Sequence, residues 1–243
     1  MLKQAPLSEL EPAPRTGRVF TQTRRPGLGD CAPSGRMRLD ALANWLQDVA
    51  YADVEDAGVA DGVVWVVRRA RIRVRRFPRF GESFVMSTFA TGLGRMWAER
   101  GTTIARQGAE AVDVDAAFLW VHLDPLGRHP TALTAEEIAK YGEAAAGRRV
   151  SARLRHPPPQ PAERSFTWTF RATECDLAGH INNTAYWHPL EEELLRERDP
   201  DAIDVEIEYR TPAQPGEKTV LCDGHWRWFI GDEGETLASI VMA

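Results

Sequence analysis

The sequence predicts an α+β protein made of two tandem copies of one unit, each a long helix packed on an antiparallel sheet. Three observations carry this reading. First, DCAPSGRMRLDALANWLQD (30–48) lies over ECDLAGHINNTAYWHPLEE (174–192) at an offset of 144, so that Cys31 meets Cys175, Gly35 meets Gly179, Ala41 meets Ala185 and Leu46 meets Leu190. Second, ARIRVRRFPRFGESFV (70–85) lies over VEIEYRTPAQPGEKTV (205–220) without a gap, placing Ile72 on Ile207, Arg75 on Arg210 and Gly81-Glu82 on Gly216-Glu217. Third, VFTQTRR (19–25) resembles SFTWTFR (165–171) just upstream. Matches in one conserved order are the mark of an internal duplication.

Each element follows from the pattern. Residues 1–17 mix acids and prolines without an apolar run, so they read as a loosely held tail and not as a secretory signal. The first unit spans 18–146. A short strand opens it, then a loop containing Gly35, then a helix from Leu39 to Ala57 with Leu42, Trp45, Leu46, Val49 and Val54 near a spacing of 3.6. Alternating segments follow, separated by turn signals such as GLG (92–94) and QGAE (107–110). GRRVSARLRHPPPQPAER (147–164) is too rich in proline for a helix interior or a central strand and reads as a connector. The second unit, 165–243, repeats the scheme, with a helix expected over 184–195. A long amphipathic helix wrapped by a curved antiparallel sheet is the hotdog arrangement, and two copies make a tandem, or double, hotdog.

Composition narrows the function. The 43% hydrophobic and 27% charged fractions suit a soluble globular chain, and 243 residues are enough for two units with real cores. A net charge of −5 argues against a nucleic-acid partner. Three cysteines, an odd number without a CxxC pair, argue against a disulfide framework and fit a cytoplasmic location. No apolar run reaches 18 residues, so no membrane span is expected.

The second unit crowds Asp176, Gly179, His180, Asn182 and Asn183 at the mouth of its helix. Together with NWLQDVA, WVVRRARIRVRRFPRFGE, AAFLWVHLD (116–124) and EYR (208–210), the stretch DLAGHINNTAYW resembles the acyl-ACP thioesterases, over nearly all of 18–243. The D…GHINN..Y core also resembles single-domain acyl-CoA thioesterases of the same fold. The resemblance implies an acyl-ACP hydrolase of fatty acid biosynthesis. Asp176 would act as base or nucleophile, while His180 and Asn182 orient water and polarise the thioester carbonyl. Gly179 would let substrate approach the backbone and Asn183 would hold water or the carbonyl.

A plainer reading stands beside this one, because Asp and Asn are good helix caps. The duplication weighs against it for Asp176 and His180. At the equivalent positions the first copy has Ala32, Arg36, Arg38 and Leu39, so the polar cluster occurs once while the fold-holding features occur twice. The plant members of the family carry an Asn where this chain has Ala178, and an adjacent Glu and Cys where it has Pro212 and Ala213. No cysteine occupies the nucleophile position, which leaves water attack assisted by Asp176 and His180.

Other candidates carry two readings each. Glu192 is either an acid of the site or a solvated member of EEELLRER, and Tyr186 is either core or pocket lining. Trp45 and Val49 are expected beside the acyl chain, along the first helix. RRARIRVRRFPR (68–79) holds seven arginines. Of these, Arg71 and Arg73 are expected to meet Glu206 and Glu208 across the join of the halves. Arg75, Arg76 and Arg79 remain for docking acyl carrier protein. No metal spacing, phosphate loop or cofactor motif occurs, so no metal and no cofactor are implied. The chain would be a monomer, as a pseudo-dimer, or a homodimer. An acyl-CoA thioesterase and a non-catalytic acyl-carrier binding protein are the rival functions.

Overall fold

The stripe Leu42, Trp45, Leu46 and Val49 forms the buried face of helix α1 (Leu39–Asp56), around which the rest of the first half wraps. The computed structural model describes residues 7–60, 64–126, 129–197 and 199–243. Before α1 comes strand β1 (Val19–Arg24); after it come β2 (Val64–Val74), β3 (Phe84–Leu93), β4 (Trp97–Arg106), β5 (Val112–Leu123) and helix α2 (Ala135–Tyr141). The second half holds β6 (Arg164–Phe170), helix α3 (Trp187–Glu197), β7 (Ile203–Tyr209), β8 (Gly216–Asp223), β9 (Trp226–Ile230) and β10 (Thr236–Met242). All strands join one sheet in the order β1-β3-β4-β5-β2-β7-β10-β9-β8-β6. Its second five strands repeat the order of the first five about a pseudo-twofold axis between β2 and β7.

The register locates that axis. β2 and β7 pair antiparallel with Ala70 opposite Ile207, Arg71 opposite Glu206 and Ile72 opposite Val205. The duplication lays Arg71 over Glu206, so the axis passes through this pair. Ala70, Ile72, Val205 and Ile207 turn one way, fully buried in a core that runs unbroken through both halves. The charged residues alternate to the other face.

That face is not held together as the sequence predicts. Both arginines bind Asp204 instead of Glu206 and Glu208: Arg73 straight across at 2.9 Å and Arg71 diagonally at 2.6 Å. The two glutamates turn outward and grip the segments that cross over them. Glu206 accepts the Ser8 amide at 2.8 Å, and Glu208 accepts the Arg155 and His156 amides at 2.7 and 2.9 Å. Amide donors satisfy a buried carboxylate without the flexible arm of an arginine. Residues 7 and 8 are therefore anchored, Ser8 being buried, where a loose tail is expected; residues 1–6 of that tail lie outside the described residues.

Two local features depart from the expected pattern. α2 was not anticipated; Thr134 and Glu137 cap it reciprocally, Glu137 N to Thr134 Oγ1 at 3.1 Å and Thr134 N to Glu137 Oε2 at 2.7 Å. The second long helix starts as a 3-10 turn over Asn183–Tyr186 and becomes α-helical only at Trp187. Pro189 explains this, since it lacks the amide that would bond back to the Ala185 carbonyl.

Candidate active site

The two helix-leading loops are the same structure, hydrogen bond for hydrogen bond. In the second copy, Asp176 N donates to His180 O (3.0 Å), Gly179 N to Asp176 O (3.0 Å), Asn182 N to Glu174 O (2.8 Å) and Ile181 N to Ala213 O (3.0 Å). In the first, Ala32 N donates to Arg36 O (2.7 Å), Gly35 N to Ala32 O (2.9 Å), Arg38 N to Asp30 O (2.9 Å) and Met37 N to Pro78 O (2.8 Å). Gly35 and Gly179 both sit in the left-handed region, at φ 81° and 74°, which the turn requires and glycine adopts freely. The backbone thus takes this shape with Ala32 and Arg36 as readily as with Asp176 and His180. Neither polar side chain is needed to build the loop.

Side chains make the two loops unlike. In the first copy Arg36 is 1% exposed, bonded to Glu191 at 2.7 Å, to Asp199, and stacked over Phe77 at 4.6 Å. Glu191 also accepts the Leu39 amide at 3.0 Å, so an acid from the second half caps α1. This end of the pseudo-dimer is plugged. In the second copy Asp176 is exposed, and its Oδ1 accepts the Ala178 amide at 2.9 Å. Among the described residues, neither Asp176 Oδ2 nor the half-buried His180 imidazole has a hydrogen-bond partner.

Across the join from Asp176 stands Tyr51, on α1 of the other half. Burial pushes the Tyr51 phenol up, and the negative charge of Asp176 pushes it further. Tyr51 donates to the Trp65 carbonyl at 3.2 Å and meets the Trp120 ring edge-on at 5.9 Å. It also lines a narrow, mainly apolar pocket between α1 and β3–β5, bordered by Ala50, Val54, Ala90, Leu93 and Trp120. One residue therefore lines the cavity and feels the charge of the polar loop.

Residues 17–141 match the family model of the acyl-ACP thioesterase N-terminal domain. The chain belongs to the acyl-ACP thioesterase family. An uncharacterised protein of Mycobacterium tuberculosis is 26% identical over 210 residues, 86% of this chain and 83% of that one. Among solved structures, an acyl-ACP thioesterase from Bacteroides thetaiotaomicron superposes with a TM-score of 0.74 at 19% identity, covering 92% of this chain and 96% of the other. The 12:0-ACP thioesterase from Umbellularia californica superposes at 0.70 with 18% identity, again over 92% and 96%. These likenesses establish the fold as a double hotdog.

Within this thioesterase fold the remaining candidates separate. Asn182 is a cap: its Oδ1 accepts both the Thr184 amide and hydroxyl at 2.8 Å, leaving only its Nδ2 free to donate. Asn183 offers its carbonyl to the Tyr209 hydroxyl at 2.8 Å. Tyr186 is core, 2% exposed among Phe170, Tyr209 and Phe229, and burial raises its phenol far above the ordinary value. Glu192 is solvated and paired with Arg196 at 2.8 Å, one turn on. Trp45 and Val49 are packed into the core, 6% and 0% exposed, and the pocket begins at the next residues, Ala50 and Tyr51. Ala213, where the plant enzymes carry a cysteine, does lie beside the loop, its carbonyl taking the Ile181 amide.

The arginines expected to dock the carrier lie beside the plugged loop. Arg75 pairs with Asp115, and Arg76 with Glu82 and Asp113. Arg79 donates to the Ser34 carbonyl at 3.1 Å and forms a bridge with Arg36. Their turn packs on the plugged loop, the pseudo-twofold mate of the open one. Sequence reasoning missed Tyr51, which lies off the apolar stripe of α1, and Gln214, whose amide lies 3.4 Å from the Gly179 carbonyl. Both act across long sequence separations that no local pattern marks.

One further cluster invites a metal reading. His156, Glu206 and Glu208 bring three ligand atoms within 4.8 Å. The acids already accept the amides of Ser8, Arg155 and His156, so the cluster works as a clamp on the tail and connector. No helix among the described residues is long and apolar enough to cross a membrane.

Proposed function

We propose that this protein hydrolyses acyl thioesters, taking acyl-ACP as its substrate in the cytoplasm and using no cofactor. The observation that supports the reading is that Asp176, in the polar loop of one half, acts by its charge on Tyr51, which lines an apolar pocket in the other. The acyl chain enters that pocket, where each buried methylene contributes about 0.8 kcal/mol. The thioester carbonyl then rests against the loop, close to Gly179, which presents no side chain.

Asp176 takes a proton from water as the oxygen attacks the carbonyl carbon. Asn182 Nδ2 donates to the oxyanion that forms, since its Oδ1 is held by Thr184. The tetrahedral intermediate collapses by breaking the carbon–sulfur bond, and the thiolate leaves with a proton supplied through His180. Residues 18–146 and 165–243 form the two units and 147–164 the connector in this scheme.

The test is release of free thiol from matched acyl-ACPs and acyl-CoAs. Faster turnover of the carrier-bound substrates at equal chain length is the expected result. Equal turnover would make the protein an acyl-CoA thioesterase, and binding of acyl-ACP without turnover would make it a non-catalytic carrier-binding protein.

A further inference from the structure

The pocket is apolar on most of its wall, yet several lining residues have polar atoms left over. Glu137 is 4% exposed; its Oε2 caps α2, but its Oε1 has no hydrogen-bond partner among the described residues. Trp120 (6% exposed) and Tyr141 (7% exposed) leave the indole Nε1–H and the phenol oxygen unpartnered in the same way, and so does the indole of half-buried Trp65. All four residues line this one cavity. Behind Glu137 stands His122, whose Nδ1 lies 2.9 Å from the Thr131 carbonyl and whose Nε2 lies 3.4 Å from Glu137 Oε1 without forming a hydrogen bond.

Leaving a buried polar atom unpaired costs about 1–3 kcal/mol, and a domain holds few of them. Four residues with such atoms around one cavity are not what a pocket for plain hydrocarbon needs. Other polar residues of the wall contrast with them: Arg100 is bound to Asp53, and Glu99 to Arg148 and Thr91. The unpartnered set contains an acceptor, Glu137 Oε1, together with donors, the two indoles. A hydroxyl group, which donates once and accepts as well, matches that set; a ketone only accepts, and a methylene does neither.

We propose that the pocket selects acyl chains carrying a hydroxyl group along their length, the hydroxyl donating to Glu137 and accepting from the indole of Trp120 or Trp65. This rests on the reading of the cavity as the acyl site and names the substrate class within it. A site built to hydrogen-bond a hydroxyl discriminates strongly against the analogue that lacks it, because its own polar groups are then stranded.

The experiment is calorimetric titration of the full chain with non-hydrolysable acyl-pantetheine amides of one length. The set comprises the unsubstituted chain, its monohydroxy positional isomers and the matching ketones. At least one hydroxy isomer binds at least ~10-fold tighter than the unsubstituted chain, the scale of one hydrogen bond to a charged group. Glu137→Gln keeps the cap acceptor and turns an amide N–H to the pocket, so it erases the advantage of hydroxyl over ketone. Trp120→Phe lowers affinity for the hydroxy isomer by a larger factor than for the unsubstituted chain. If the unsubstituted chain binds as tightly as every hydroxy isomer, or if both variants shift all ligands alike, the inference is overturned. Hydroxyl-selective binding with no thioester hydrolysis would sink the hydrolase reading alone. Absence of binding by every chain would sink both.

Discussion

Glu191→Ala tests the plugged end of the pseudo-dimer. The carboxylate is 3% exposed, holds Arg36 at 2.7 Å and caps α1 through the Leu39 amide at 3.0 Å. Removing one partner of a buried pair costs about 3–5 kcal/mol, because the other charge is stranded. Arg36 keeps Asp199 and the ring of Phe77, so the lower end applies, about 3 kcal/mol. The lost cap adds about 1 kcal/mol. In a chain of this size each kcal/mol moves Tm by about 2–4 °C, so scanning calorimetry should show a fall of about 8–16 °C. Urea denaturation measures the same loss independently. Arg36→Leu combined with Glu191→Leu should recover most of it, since a packed apolar pair often replaces a buried ion pair at little cost. Thioesterase turnover at 20 °C should survive, because the open loop is at the other end. A loss below ~1 kcal/mol in the single variant would refute the reasoning, for it would mean Arg36 is not buried as described.

Three further outcomes follow from the same geometry. His188 lies 2.8 Å from Glu174 and 3.4 Å from Asp40. Asp40, in the drier surroundings, is the larger cause of the raised His188 pKa. Burial pushes the Asp40 carboxyl up, but hydrogen bonds from His188 and Arg38 overcome it and bring it to about 2. The pair therefore stabilises the fold above the ordinary carboxyl range and below the ordinary histidine pKa; the acid's share is lost as pH falls toward about 2, and the histidine's as pH rises through its raised value. Asp40→Asn should lower the His188 pKa in an NMR titration, and an unchanged value would contradict the contact. Gly179→Ala places its Cβ in open space but keeps φ at 74°, so urea denaturation should show a loss of about 1–2 kcal/mol from backbone strain alone. Ala178→Asn restores the amide of the plant enzymes beside Asp176 and should raise turnover by up to ~10-fold, read as thiol release, if that amide orients water.

Much of this fold was legible because it is written twice. The offset of 144 between the two loops survives in the structure as paired hydrogen bonds, and the ungapped match at 70–85 begins in β2 and β7, the equivalent strands that pair across the axis. The stripe of α1 was equally plain, since every third or fourth residue is apolar. What stayed hidden depends on partners far along the chain. Glu191 caps a helix 152 positions away, and Glu208 grips the connector 52 and 53 positions before it. The charges on β2 and β7 were visible, but not the connector and tail that would claim the glutamates. The candidate site divides in the same way. The contrast of Asp176 and His180 with Ala32 and Arg36 could be read from the repeat, whereas the cap that Asn182 Oδ1 makes to Thr184 and the opening of the pocket at Ala50, just past Val49, could not.

The central claim is that Asp176 does chemistry instead of shaping its loop. The most direct measurement is thiol release from acyl-ACP by the wild-type chain and by Asp176→Asn, with circular dichroism confirming the fold of both. The first copy makes the same loop around Ala32, so the substitution should leave stability unchanged and lower turnover at least ~100-fold. Equal turnover by the two proteins, or a variant that loses activity only because it unfolds, would contradict the account.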